Sequence, residues 1–261
     1  MRIQVLVATM MQQDHSLLEK MNIQSDAIVV NQCDRNEVEH FSYRGHDIAW
    51  YSFAERGVGL NRNNALMRAD ADIGLFADDD MVYVPSYPEV VKKAFREIPD
   101  ADVIVFDLKY PNGDRAPIKK IQRLHKRNCM RFGAARLAVR LARVQLNGVF
   151  FNLCFGGGAK YSSGEDTLFL NDCLDKKLKV YAYPAVIAHL KDERESTWFQ
   201  GYNDKFFFDK GILYYLLSRK FGCLIAGYHC FKHHKKYSSY GWLNAWVQMY
   251  KGFRFAKTNN I

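Results

Sequence analysis

Short apolar runs separated by helical periodicities dominate the first hundred residues. Runs at 3–9, 27–31, 48–52, 73–77 and 103–107 have strand length and are rich in Val, Ile and aromatic residues. The first, second and fourth are strongly apolar, as strands buried on both faces of a parallel sheet are. Between them, residues 16–21, 59–69 and 88–98 carry apolar positions at helical spacing, the last with Pro88 in the first turn, where its missing N–H is tolerated. Strands alternating with helices predict an α/β domain, a mostly parallel sheet flanked by helices.

Further along, Pro111-Asn112-Gly113 marks a turn. Basic residues then recur from Lys119 to Arg143 at spacings that predict a helix. An apolar run at 149–154 reads as a strand. The glycines 156–158 follow, then a helix opening at Glu165 and Asp166 and a strand near 179–183. The expected organisation is one domain over residues 1–195 and an aromatic, mainly helical extension over 196–261.

Composition narrows the class. At 261 residues, 48% hydrophobic and 25% charged, the chain supports a large core and excludes long disorder or a collagen-like repeat. The six cysteines form no CxxC pair, so neither a zinc knuckle nor a thioredoxin-type site is expected, and reduced thiols in the cytosol are the default. The opening apolar run is too short for a span and lacks a cleavage site, so export is not expected. Stretches free of Asp, Glu, Lys and Arg at 144–159 and 237–250 fall short of the roughly 20 apolar residues a spanning helix needs.

Charge changes the picture more. The formal net charge is +9, yet the window 115–164 alone holds eleven Lys or Arg and no Asp or Glu. Like charges at helical spacing repel unless an anion lies nearby, which points to phosphates or lipid headgroups, with a merely solubilising face as the plain alternative. Nucleic acid is not expected, because no zinc finger, RNP motif or helix-turn-helix accompanies the charge. The last 64 residues hold 18 of the 37 aromatics, interleaved with Lys232, Lys235 and Lys236. That mixture suits either a membrane interface or helices covering a core. His229, His233 and His234 read as basic surface, since no carboxylate accompanies them.

Three strings carry candidate chemistry. Residues 73–81, IGLFADDDM, end an apolar strand in Asp78, Asp79 and Asp80. Ligands of open α/β sheets bind beyond the carboxyl ends of strands. Adjacent anions there repel unless a cation joins them, and Mg²⁺ or Mn²⁺ shared with a diphosphate is the economical partner. An acidic, solvated turn is the alternative. Residues 55–66, ERGVGLNRNNAL, lead a glycine turn into a helix with Arg62, Asn63 and Asn64 near its start, which reads as a phosphate contact or an ordinary cap. Residues 156–169, GGGAKYSSGEDTLF, place Glu165 and Asp166 at a helix start, as caps or with one carboxylate as a general base.

In this order and spacing the strings resemble the inverting GT-A glycosyltransferases, specifically the family 2 type of bacterial polysaccharide synthesis. The likeness runs over residues 1–200: the strand ending at Ala8–Thr9, RGVGLNRNNAL, FADDD, and GEDTLF followed by His189 with Ser196 and Thr197. It implies a GT-A fold and a metal-dependent transfer of a sugar from a nucleotide-diphosphate donor, UDP-linked by preference, to a saccharide hydroxyl. Thr9, Asp34, Arg62, Asp78 and Asp79 fall at nucleotide-binding positions, Asp80 and His189 at metal positions, and Asp166 at the catalytic base, with Glu165 beside it. Where the family carries Asp-Gly-Ser after the second strand, this chain reads NQCD.

The expected cofactor is Mn²⁺ or Mg²⁺. The expected acceptor is an oligosaccharide or lipid-linked saccharide at the inner, cytoplasmic face of the plasma membrane, where the basic window and aromatic tail would meet anionic headgroups. Alternatives are a nucleotide- or carbohydrate-binding protein with a degenerate site, and a haloacid-dehalogenase-like phosphatase, since Asp78–Val82 also fits DxDxV.

Overall fold

A computed structural model of the chain describes residues 1–111, 116–191, 201–259 and 261. In chain order the elements are β1 (Ile3–Met10), α1 (Leu17–Lys20), β2 (Asp26–Gln32), β3 (Glu37–Tyr43), β4 (His46–Phe53), α2 (Val58–Arg68), β5 (Ile73–Asp78), β6 (Met81–Tyr83) and α3 (Tyr87–Glu97). There follow β7 (Val103–Lys109), β8 (Gln122–Arg123), β9 (Leu137–Arg140), α4 (Leu141–Leu146), α5 (Glu165–Asp175), β10 (Val180–Leu190), α6 (Asp204–Leu217), α7 (Gly222–Lys232) and α8 (Trp242–Thr258).

The strands form one sheet in the order β3-β4-β2-β1-β5-β9-β7-β10-β6, with β8 on β10. β1 pairs in parallel with β2 and β5, β2 with β4, and β7 with β10. The strand period of two sorts the core into two layers. Val5, Val7, Val29 and Leu75 face one layer with Leu18 and Phe95, while Leu6, Ile28, Val30 and Phe76 face the other with Leu66 and Phe169. Each such fully buried side chain contributes about 1.5–3 kcal/mol of transfer free energy. With helices on both faces, both faces of the central strands must be apolar, which is why these strands read as nearly continuous hydrophobic runs.

Two expected elements are absent. The basic window is not one helix: it contains β8, a 3₁₀ turn at Ala134–Arg136, β9 and the short helix α4. Three of its cations pair with carboxylates of the chain itself. Arg136 is buried with its Nε donating to Phe106 O at 2.7 Å and its guanidinium paired with Asp107. Arg143 Nε donates to Asp102 at 2.8 Å, and Lys126 pairs with Asp175. The run 149–154 is a loop. Val149 and Phe151 are apolar because they enter the core, where Phe151 stacks on Phe169 with ring centroids 4.3 Å apart.

The aromatic extension folds as α6, α7 and α8. Gly211 faces the Met249 backbone and Gly252 the Phe208 backbone, each so close that a β-carbon would lie 2.0 Å from a carbonyl oxygen. α6 and α8 therefore cross in backbone contact. Phe155, Tyr161, Ile212 and Leu213 share a small core, so these helices dock on the loop that feeds α5. The turn expected at 111–113, and Ser196 and Thr197, lie wholly or partly outside the described residues.

Candidate active site

The parallel strands β1, β2 and β5 end on one edge, and α2 starts beside it. Its entry is fixed by the protein itself: Gly57 N donates to Gln32 Oε1 at 2.6 Å, Val58 N to Gly157 O at 2.9 Å, and buried Asn61 to Val30 O at 2.8 Å and Thr9 O at 3.3 Å. Asn63 exchanges two bonds with the backbone of Phe151, and Asn64 donates to Glu55. Both asparagines, expected near a phosphate, are structural. The first amide of α2 is likewise taken by Gly157.

Arg62, one turn into α2, is the hub. Its side chain is only 5% exposed and its guanidinium joins three carboxylates: Nη2 to Asp78 Oδ1 at 2.7 Å, Nη1 to Asp166 Oδ1 at 2.9 Å and Nη1 to Glu165 Oε1 at 3.2 Å. The planar fork of arginine spans carboxylates from two elements where a lysine point charge does not. The Phe151 ring lies under the guanidinium, 5.3 Å from ring centroid to Cζ. Burial opposes the Arg62 charge, but Asp78, Asp166 and Glu165 overcome that and raise its pKa above the usual arginine value.

One guanidinium cannot neutralise three carboxylates, and Asp166 holds a proton more readily than a free carboxyl. Burial pushes its pKa up to about 7; Arg62 pulls downward, while Glu165 and Asp78 push further up and a backbone hydrogen bond at Ala134 pulls down. A carboxylate balanced near neutrality is suited to accepting a proton. Asp166 is also the more open of the adjacent acids, at 27% exposure against 12% for Glu165. Glu165 is boxed in: Gly164 N donates to Oε2 at 3.1 Å, and Gly156, at φ 101°, leaves so little room that a β-carbon there would sit 2.7 Å from Glu165 Cδ. Gly156 thus serves close packing around Glu165.

The remaining expected residues spread along the same edge. Thr9, buried at the end of β1, donates to Asp79 Oδ2 at 2.7 Å and accepts from Gln12 at 3.0 Å. Asp34, exposed after β2, pairs with Arg56 Nη2 at 2.6 Å. Asp80 sits in the turn between β5 and β6, and its carbonyl accepts from Lys191 N at 2.9 Å. His189 is exposed on β10, in register with Val82 of β6. Among the described residues no three His, Cys, Asp or Glu converge as a ready metal cage. The carboxylate oxygens of Asp79 and Asp80 are the kind of donor a hard divalent ion takes.

Arg56, Gln32, Gly133 and Ala134 carry no expected role in the sequence yet belong here. Arg56 holds Asp34 and the Cys33 carbonyl, and a β-carbon on Gly133 would lie 3.2 Å from Asp166 Oδ2. The first was visible as a charge beside the 57–59 glycine turn. The other three have no local signal.

Among solved structures, the chain superposes on S. aureus TarS 1–349 in complex with UDP-GlcNAc with a TM-score of 0.67 at 16% identity, covering 95% of this chain and 81% of that one. TarS 1–349 in complex with UDP gives 0.61 at 16% identity, covering 90% and 72%. Against S. aureus TarS without the 1–349 limits the TM-score is 0.62, covering 89% of this chain and 43% of that one. No family model and no curated protein matches the sequence. The fold is therefore mixed α/β with a large, mostly parallel, helix-flanked sheet, and it is GT-A-like.

Proposed function

We propose that the protein is an inverting glycosyltransferase of the family 2 type that takes a sugar from a nucleotide-diphosphate donor, UDP-linked by preference, and joins it to a saccharide hydroxyl. The observation that carries this reading is the buried Arg62 fork holding Asp78, Glu165 and Asp166 at the carboxyl edge of the sheet. The likeness in fold to TarS, seen with UDP-GlcNAc and with UDP, makes UDP-GlcNAc the first donor to try.

In the reaction, Asp166 takes the proton of the acceptor hydroxyl. That oxygen attacks the anomeric carbon from the face opposite the diphosphate, and the old C–O bond breaks with its electron pair leaving on the nucleoside diphosphate. Configuration inverts. Arg62 keeps Asp166 aimed and its charge available, and Asp78, held by the same fork, is placed for the donor's ribose. Thr9 steadies Asp79, and Arg56 steadies Asp34 toward the base. Asp80 with Asp79 would hold Mn²⁺ or Mg²⁺, whose charge offsets that gathering on the departing diphosphate. His189 is the candidate for an additional ligand. The acceptor is lipid-linked and reached at the inner face of the plasma membrane.

The test is a panel of UDP-, GDP- and TDP-sugars scored for thermal stabilisation with and without Mn²⁺ or Mg²⁺, since a ligand that binds only the folded state raises its stability. UDP-sugars are expected to stabilise in the presence of the ion. Indifference to every nucleotide contradicts the reading.

A further inference from the structure

Beyond the basic window, the sequence holds a second acid-free run: residues 210–261 carry nine Lys or Arg and no Asp or Glu. The structure shows what this run builds. On α7, Leu224, Tyr228 and Phe231 stand one and two turns apart and are 72%, 64% and 66% exposed. On α8, Trp242, Leu243, Trp246, Val247 and Tyr250 are all exposed, and at 100° per residue they fall within an arc of roughly 140°. The two stripes meet where Gly227 admits Trp246, a β-carbon there lying 3.3 Å from the indole nitrogen. The inward faces, with Ala226, Cys230, Ala245 and Met249, are already buried against α6. The outward face is not needed for the helical core.

Beside this face lies a cluster of lysines around two histidines. His229 bonds Tyr237 Oη at 2.8 Å, and the His233 ring lies tilted against it with centroids 4.5 Å apart. Lys232 reaches over Tyr228, Lys236 over Tyr202 and Lys210 over Phe206. Burial, then Lys210, His233, Lys232 and Lys236 together, hold His229 down to about 3, so its ring is neutral. Unlike Arg136 and Arg143 in the earlier window, these cations share no carboxylate of the chain in the contacts described. No helix among the described residues is long and apolar enough to cross a membrane. Exposed Trp and Tyr on short amphipathic helices rimmed by lysine match the chemistry of a bilayer surface with negative headgroups.

We propose that the outer face of α7 and α8 docks on an anionic phospholipid bilayer, its Trp and Tyr rings at headgroup depth and the lysines around His229 over lipid phosphates. This deepens the membrane-side acceptor reading and rests on it for its purpose. Because α6 joins these helices to the loop feeding α5, docking would hold Asp166 beside a lipid-borne acceptor.

The full chain is sedimented with phosphatidylcholine vesicles and with vesicles containing phosphatidylglycerol, without donor or acceptor, so failure here is separate from failure of glycosyl transfer. Retention on the anionic vesicles, weakened by salt, is expected. Phe231→Glu with Leu243→Glu should weaken it about tenfold at unchanged melting temperature and donor stabilisation, since both positions are exposed. Lys232→Ser with Lys236→Ser should narrow the difference between the two vesicle types. Absence of vesicle binding, or a dimer seen by ultracentrifugation that Phe231→Glu dissolves and that ignores vesicles, overturns the proposal.

Discussion

Arg62 Nη1 lies 2.9 Å from Asp166 Oδ1 while the same guanidinium grips Asp78, so the residue read as the base and the first acid of the triplet are held by one side chain. Replacing that fork leaves three clustered carboxylates unbalanced. Arg62→Ala should cost about 3–5 kcal/mol, the range for breaking a buried ion pair, measured by denaturant unfolding. Arg62→Lys should retain part of the stability and lose most of the activity, because a point charge does not hold two elements in one plane.

Asp166→Asn should lower turnover by about 10²–10⁴ while leaving donor-induced stabilisation in place, the loss characteristic of a general base. Wild-type log kcat/KM should rise with pH through about 7 and level above it, since the base works when deprotonated. Removing Arg62, which pulls the Asp166 pKa down, should move that limb to higher pH in whatever activity remains.

The same shift acts on stability. A carboxyl with a folded pKa near 7 and an unfolded value of about 3.9 binds more protons when folded, so its contribution is present at low pH and is lost as pH rises through 7. Asp166→Asn should therefore be better tolerated at pH 8 than at pH 5. A gain of about 1 kcal/mol would appear as roughly 2–4 °C in melting temperature in a protein of this size.

Gly156→Ala tests the packing behind Glu165. The added carbon meets Glu165 and Val58 at 2.7 Å with the backbone at φ 101°. A destabilisation of about 1–3 kcal/mol, together with reduced turnover, is expected from overpacking at a positive φ. Calorimetric unfolding and a steady-state assay check both.

Much of the sheet was legible. The five apolar runs fall within β1, β2, β4, β5 and β7; β1, β2, β5 and β7 are buried almost throughout, while β4 alternates. β3 was silent: an exposed edge strand, it alternates polar residues that read as a loop. β9 is four residues of LAVR inside a charged window, and its place between β5 and β7 is set by tertiary pairing alone. The single helix expected across the window is absent, and three of its cations, Lys126, Arg136 and Arg143, answer to Asp175, Asp107 and Asp102, which come from elsewhere in the sequence.

At the site, Arg62, Asp78, Glu165 and Asp166 were each visible as residue types at strand and helix ends. Their union was not, since residues about a hundred apart in sequence meet only in the fold. Asn63 and Asn64 resembled phosphate contacts because a polar residue in a first helical turn looks the same whether it faces a ligand or ties down a loop.

A crystal structure with manganese and UDP tests the central claim most directly. Uracil and ribose should lie beyond the ends of β1, β2 and β5 near Asp34 and Asp78, with the ion on Asp80 beside the diphosphate and Asp166 facing the open space where an acceptor would stand. An empty edge, with the Arg62 cluster unchanged and UDP elsewhere or nowhere, would contradict it.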